Sequence, residues 1–467
     1  MDTNKAYAQL DIEQVRSNKW WHHRWFKIAC LCFIILAVLT IVLVLLLKFV
    51  ILVPEKLDST TTKTTTLSTI TTTISTLTTT TTSTTTTTSS ITSTSTIITS
   101  TITTARHSGW SNTGNMTELR MEHTASLLQN GKVLVTAGFY DDTHLNSSEL
   151  YDPLTGSWTS TGSMNQGRDG HTASLLPNGK VLVTGGIGEQ DYLNHAELYD
   201  PSTETWTVTN SMKDKRNFAA ACLLADGNVL VTGGFNGDTI LDSVEVYDPS
   251  TGIWTTTGYM AEARDGHTAS LLPNGKVLAA GGFSRHTFQN TAELYHPSTG
   301  TWTTTDSMKD RRDYHTATVL TNGNVLVTGG SYGGITQNSA ELYDFSTETW
   351  KTVGSMNNAR HNHQAVLLND GKVLVTGGSN GSRALHTAEL YDPSTELWTT
   401  IGNMNNARDY HTACLLTDGN VLVAGGSGDS TDLNTAELYS RSIRTSITID
   451  KMNNIQDNHE ISPLTNG

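Results

Sequence analysis

Over much of the chain, apolar residues fall in runs of four or five separated by short polar breaks. In the stretch that follows Arg168, His171 to Leu176 predicts a short strand and Pro177-Asn178-Gly179 a tight turn. Val181-Leu182-Val183-Thr184 is a mostly apolar second strand, as a sheet buried on both faces requires. Gly185-Gly186 closes it, and a polar loop of about nine residues leads to a third strand over Ala196 to Tyr199. The Asp200-Pro201-Ser202-Thr203 turn then delivers a fourth strand around Trp206. Asn-Gly or Asp-Gly pairs recur between the first two strands, and a two-residue hairpin there needs φ > 0 at both central positions.

The unit repeats on a fixed ruler. Trp110, Trp158, Trp206, Trp254, Trp302, Trp350 and Trp398 are each 48 residues apart, and the same step carries Gly138 to Gly426 and Tyr151 to Tyr439. Four short strands per unit at this period predict a closed ring of β-sheet blades. Seven Gly-Gly-type elements, the first being Ala137-Gly138, give seven blades. The last unit carries Ser446 at the tryptophan register, whereas Trp110 has no earlier strands of its own. A strand around Trp110 to Asn115 is therefore expected to complete the blade begun by Arg408 to Tyr439 and so remove an exposed sheet edge. Ser446 to Ile449 is the rival closing segment.

Gly233-Gly234, Glu245-Val246-Tyr247, Trp254, Met260 and Arg264 together resemble the kelch repeat, and the likeness recurs over roughly residues 110–440. The resemblance implies an all-β fold: a seven-bladed kelch-type propeller of four-stranded antiparallel blades, placed at residues 107–449. It is weak for activity, because one fold hosts many functions. Galactose oxidase is similar in its blades and implies copper, held by Tyr and His and accompanied by a Tyr–Cys crosslink. Here Tyr410 and Cys414 are four residues apart along a strand, too far to link, and only 27 residues follow Ser440, where that family adds a ligand-bearing domain. Kelch-type sialic acid mutarotases are a second precedent, for which no residues match.

Composition changes sharply ahead of the repeats. Ile28 to Leu47 is uncharged, with Thr40 its one polar residue, long enough to cross a bilayer as a helix. Arg16, Lys19, Arg24 and Lys27 precede it, so residues 1–27 are expected in the cytosol and residues 28–53 as an uncleaved signal anchor. From Ser59 to Thr104, 37 of 46 residues are Thr or Ser, which predicts a disordered or O-glycosylated stalk over residues 54–106. Residues 450–467 form a tail. Tyr7-Ala8-Gln9-Leu10 resembles an endocytic sorting signal. The net charge of −14 concentrates after the stalk, which argues against nucleic acid or anionic lipid as ligand.

Residues present in every unit are expected to be scaffold. Cys222 and Cys414 occupy one position in two distant units, out of disulfide reach, and Cys30 and Cys32 belong to the membrane segment. His123, His171, His267, His315, His363 and His411 recur, with Ala219 breaking the set, and would be spread too widely for one metal ion. Seven arginines from Arg120 to Arg408 match seven glutamates from Glu149 to Glu437 and are expected to pair. No metal, cofactor or catalytic residue is expected.

What differs between units is the loop after each Gly-Gly, from Phe139–Ser147 to Ser427–Thr435. These loops and the connections between blades share one face. Variable loops on a rigid scaffold build binding surfaces. The candidates there are Tyr140, Asp141, Asp142, Asp191, Tyr192, Phe218, Asp238, Arg285, His286, Phe288, Tyr314, Tyr332, Arg383, Tyr410, Asp429 and Asp432. The acidic pairs Asp141-Asp142 and Asp429/Asp432 lack the oxygen density of a Ca²⁺ loop. Asn115, Asn146 and Asn380 are glycosylation sequons near the same face. The sequence thus predicts a single-pass plasma-membrane glycoprotein whose propeller, outside the cell, recognises protein or glycan without catalysis. A membrane-tethered carbohydrate-active enzyme and a passive surface coat are the alternatives.

Overall fold

A computed structural model describes residues 109–285 and 287–441. The expected cytosolic segment, membrane span, stalk and tail lie outside them. Among the described residues no helix is long and apolar enough to cross a membrane.

Seven four-stranded antiparallel sheets form the blades. The second is typical: Thr172–Leu175, Val181–Thr184, Ala196–Asp200 and Thr205–Thr209 run from the central channel outward. The seventh takes three strands from the C-terminal end, Thr412–Leu415, Val421–Ala424 and Ala436–Ser440, and its outermost strand, Gly109–Asn112, from the N-terminal end. Trp110 pairs with Tyr439 and Asn112 with Glu437, so the expected closure by the strand around Trp110 is what the fold uses. The rival segment, Ser446 to Ile449, lies outside the described residues.

Each sheet is buried on both faces because each is sandwiched between two others. In the first blade, Leu134 and Leu150 pack against Val181, Val183 and Tyr199 of the second, while Val133 and Val135 face the seventh. This is why the second strand reads Val-Leu-Val with no polar alternation. Complete burial of each such side chain contributes about 1.5–3 kcal/mol.

The tryptophans rivet blade to blade. Trp158 stacks on Tyr151 at 5.1 Å, and its indole Nε1 donates to the carbonyl of Gly114 in the connection preceding its blade, at 2.8 Å. The same bond recurs from Trp206 to Gly162, Trp254 to Asn210, Trp302 to Gly258, Trp350 to Asp306 and Trp398 to Gly354.

One local expectation is corrected. The Asn-Gly hairpins are not two-residue turns with φ > 0 at both centres; only the glycine is left-handed, as in Gly179 at +82°. Gly179 N–H donates to Leu176 C=O, and Leu176 N–H to Lys180 C=O, which makes a type I turn followed by a left-handed glycine. Pro177 supplies the negative φ such a turn wants at its first corner. The loops on the other face are also more ordered than loops: Phe139–Tyr140 pairs with Thr143–His144, and Ser331–Tyr332 with Ile335–Thr336.

Candidate functional site

The repeated charges are scaffold. Each arginine is wholly buried and meets the glutamate of its own blade, with Arg–Glu distances from 3.1 Å at Arg120–Glu149 to 2.7 Å at Arg360–Glu389. Arg360 also donates to the carbonyls of Gly377 and Thr387, and Glu389 accepts from the backbone N–H groups of Asn357 and Asn358. Every ion pair thereby ties the inter-blade connection to the loop after Gly-Gly, and its charge is spent inside the wall.

The histidines line the channel and lock neighbouring blades. Nε2 of His171 meets Thr124 Oγ1 of the preceding blade at 2.9 Å, His267 meets Thr232 at 2.7 Å, and His363 meets both Thr316 and Thr328, at 2.9 and 3.1 Å. Burial, then the nearby arginines, push His171 and His267 down to about 3, so the ring is neutral.

Just before each histidine position stands a residue that does differ: Glu122, Gly170, Phe218, Gly266, Tyr314, Asn362 and Tyr410. All seven are left-handed, with φ between 47° and 59°. Backbone bonds run from one to the next around the channel, for example Tyr314 N–H to Gly266 C=O at 3.1 Å and Glu122 N–H to Tyr410 C=O at 3.1 Å. Glycine takes this conformation freely; Glu, Phe and Tyr hold it at about 1–3 kcal/mol each. The side chains here are therefore kept at a cost.

They frame a cavity of about 280 Å³ at the channel mouth. Phe218 lies edge-on to Tyr314 at 5.7 Å, and Tyr410 hydrogen-bonds Asn362. Burial raises the Tyr314 and Tyr410 hydroxyls well above the ordinary range, with Asp265 and Glu122 respectively adding to the effect. Behind the mouth, burial and then Asp313 push Asp265 up to about 8, and burial pushes Asp313 up to about 7 despite the hydroxyl of Ser331.

Of the sequence candidates, Phe218, Tyr314 and Tyr410 stand in this ring. Tyr140 is exposed at the tip of the first-blade ribbon, where Asp141 and Asp142 are the left-handed turn residues. Phe288 is held between Phe283 at 4.9 Å and Tyr332 at 5.5 Å, and the Arg311 guanidinium lies 6.0 Å over the Tyr332 ring. Tyr192 rests on Phe235 of the next loop, and Asp191 pairs with Lys215. Asp238, Arg285, Arg383 and Asp429 are exposed, and Asp432 bridges to Ser427 within its loop. His286 lies outside the described residues. Asn115, Asn146 and Asn380 are all exposed, and Asn146 also donates its side-chain amide to Met164 C=O at 3.0 Å, as Asn194 does to Met212. Glu122, Asn362 and Arg311 were not singled out from sequence. The column of unlike residues flanked by Arg and His was the signal for the first two.

Copper does not fit these residues. The six imidazoles stand in six different blades with Nε2 engaged by threonine, and the thiols of the buried Cys222 and the half-buried Cys414 lie in strands and are pushed up to about 11. Among the described residues no three His, Cys, Asp or Glu converge as a metal site.

The family model of the KLHDC2/KLHL20/DRC7 Kelch-repeats domain matches residues 81–282 and 255–426. No curated protein matches the chain. Among solved structures, a novel fungal alcohol oxidase with catalytic diversity among the AA5 family, in complex with copper, aligns at a TM-score of 0.61 and 20% identity. That alignment covers 72% of this chain and 76% of the other, and at this identity the likeness is one of fold.

Proposed function

The chain belongs to the kelch-repeat family, and on that premise we propose that it is a non-catalytic protein-recognition module. Its binding surface is the variable face, centred on the channel mouth. The observation that carries this is the ring of left-handed side chains: five non-glycine residues keep a strained backbone that Gly170 and Gly266 show the fold can relax. The repeated Arg, Glu, His and Trp are consumed by the scaffold, and their uniform geometry offers nothing to distinguish one ligand from another. Tyr140, Tyr332 and Ile335 add exposed apolar surface around the mouth.

The sequence ahead of the propeller supports presentation at the plasma membrane, N-terminus inside, with the Thr/Ser tract as a glycosylated spacer and the partner an extracellular protein. Screening the purified chain against a panel of cell-surface proteins and, in parallel, a glycan array tests the assignment. A protein partner lost on Tyr332→Ala supports it. A glycan hit with no protein partner, or turnover of a sugar, overturns it.

A further inference from the structure

The repeated histidine is missing once in the channel wall. In six blades an imidazole reaches back to a threonine hydroxyl of the preceding blade; between the second and third blades the position is Ala219. The backbone there is unchanged. A Cβ built on Gly234 would lie 3.1 Å from the Ala219 Cβ, as one on Gly186 would lie 3.0 Å from the Cβ of His171. Only the ring is missing: imidazole Cε1 atoms lie 2.6–2.9 Å from the Cβ positions built on Gly233, Gly281, Gly329, Gly377 and Gly425, and none lies against Gly185.

The hydroxyls that the ring would meet remain. Thr172 and Thr184 correspond to Thr316 and Thr328, which both bond Nε2 of His363. Neither Thr172 Oγ1 nor Thr184 Oγ1 has a partner within the protein, and Thr184 is 2% exposed. A buried hydroxyl left without a hydrogen bond is costly and selects for a group that restores it. Ala219 and Phe218 line the 280 Å³ cavity, so the Ala219 side of the notch opens to the channel mouth.

We infer that the notch beside Ala219 is a binding subsite for a neutral imidazole-type group, which hydrogen-bonds the Thr172 and Thr184 hydroxyls as His363 does Thr316 and Thr328. The group is the ring of a free azole or the side chain of a partner's histidine, seated under Phe218. The inference does not depend on the protein-recognition reading, because it is tested without a partner.

The test is thermal unfolding of the whole chain, followed by tryptophan fluorescence at pH 8, with imidazole, N-acetylhistidine methylamide or equimolar sodium chloride. Imidazole at tenfold its dissociation constant is expected to raise Tm by about 2 °C. Ala219→His is expected to raise Tm unaided and to abolish that response. Thr172→Val with Thr184→Val is expected to abolish it too, which keeps the test decisive if Ala219→His fails to fold. A response to the histidine amide equal to that of imidazole assigns the subsite to a side chain; a response to imidazole alone assigns it to a free azole. No response in the unaltered chain, or equal responses in all three proteins, overturns the inference.

Discussion

Trp110 donates its indole N–H to the carbonyl of Gly402 at 2.6 Å, across 292 positions of sequence. It is the same rivet that every other blade makes over 44 positions, here fastening the two ends of the ring. Without Gly109–Asn112 the seventh blade would present Ala436–Ser440 as a bare edge.

Closure should therefore weigh more than one tryptophan. Trp254→Ala, which leaves the ring closed, is expected to cost about 3 kcal/mol in urea unfolding. Deleting residues 109–112 is expected to cost more and to promote self-association, seen by light scattering. Equal losses, with no association, would mean that the edge is covered by something else.

Tyr391 lacks a bond that five of its six counterparts make. Tyr343 bonds Thr305 at 2.9 Å and Tyr199 bonds Thr161 at 2.8 Å, but residue 353 is valine and the buried Tyr391 hydroxyl has no partner. Val353→Thr is expected to stabilise by about 1 kcal/mol, and Thr305→Val to destabilise by a similar amount. Chemical denaturation of both variants reads the two signs side by side.

Stability should pass through a maximum with pH. Burial holds His171 and His267 near 3 against 6.5 in the unfolded chain, so the unfolded state takes up more protons below about pH 6.5. Stability is lost as pH falls through that range. Asp265 and Asp313 act oppositely: pushed up to about 8 and about 7, they hold protons that the unfolded chain has released, and stability is lost as pH rises from about 4 to 8. Asp265→Asn is expected to raise Tm at pH 8 and leave it unchanged at pH 4.

The strained mouth predicts a trade between stability and binding. Glu122 has φ of 54° where Gly170 has 59°. Glu122→Gly is expected to be neutral or stabilising by up to about 1 kcal/mol while weakening partner binding. A variant that loses several kcal/mol would show that the side chain serves the fold.

The blades were legible because their signals are local and recur: Gly-Gly, Glu-x-Tyr and Trp at one spacing fix strand order, and Ser446 at the last register pointed to Trp110 as the closing strand. The Arg–Glu pairing followed from equal number and period. The site was less legible. Tyr192 and Phe288 look like free aromatics in sequence, but their contacts with Phe235 and Phe283 arise only when neighbouring loops meet. Glu122 lies in no variable loop, and its place in the ring depends on a backbone conformation that no side-chain pattern announces. Ala219 was visible as a gap among histidines; the orphaned hydroxyls of Thr172 and Thr184 were not, because they belong to the blade before it.

The central claim is that the repeat-breaking face, rather than the uniform one, makes the recognition surface. It is tested most directly by chemical crosslinking and mass spectrometry on cells carrying the chain, in three versions. These are the unaltered protein, one with Tyr140→Ser, Tyr332→Ser and Tyr410→Gly, and one with Leu154→Ser, Ile253→Ser and Leu397→Ser on the outer strands and opposite turns. The account predicts crosslinked proteins that persist in the third version and vanish in the second. Partners that survive in the second and vanish in the third would contradict it.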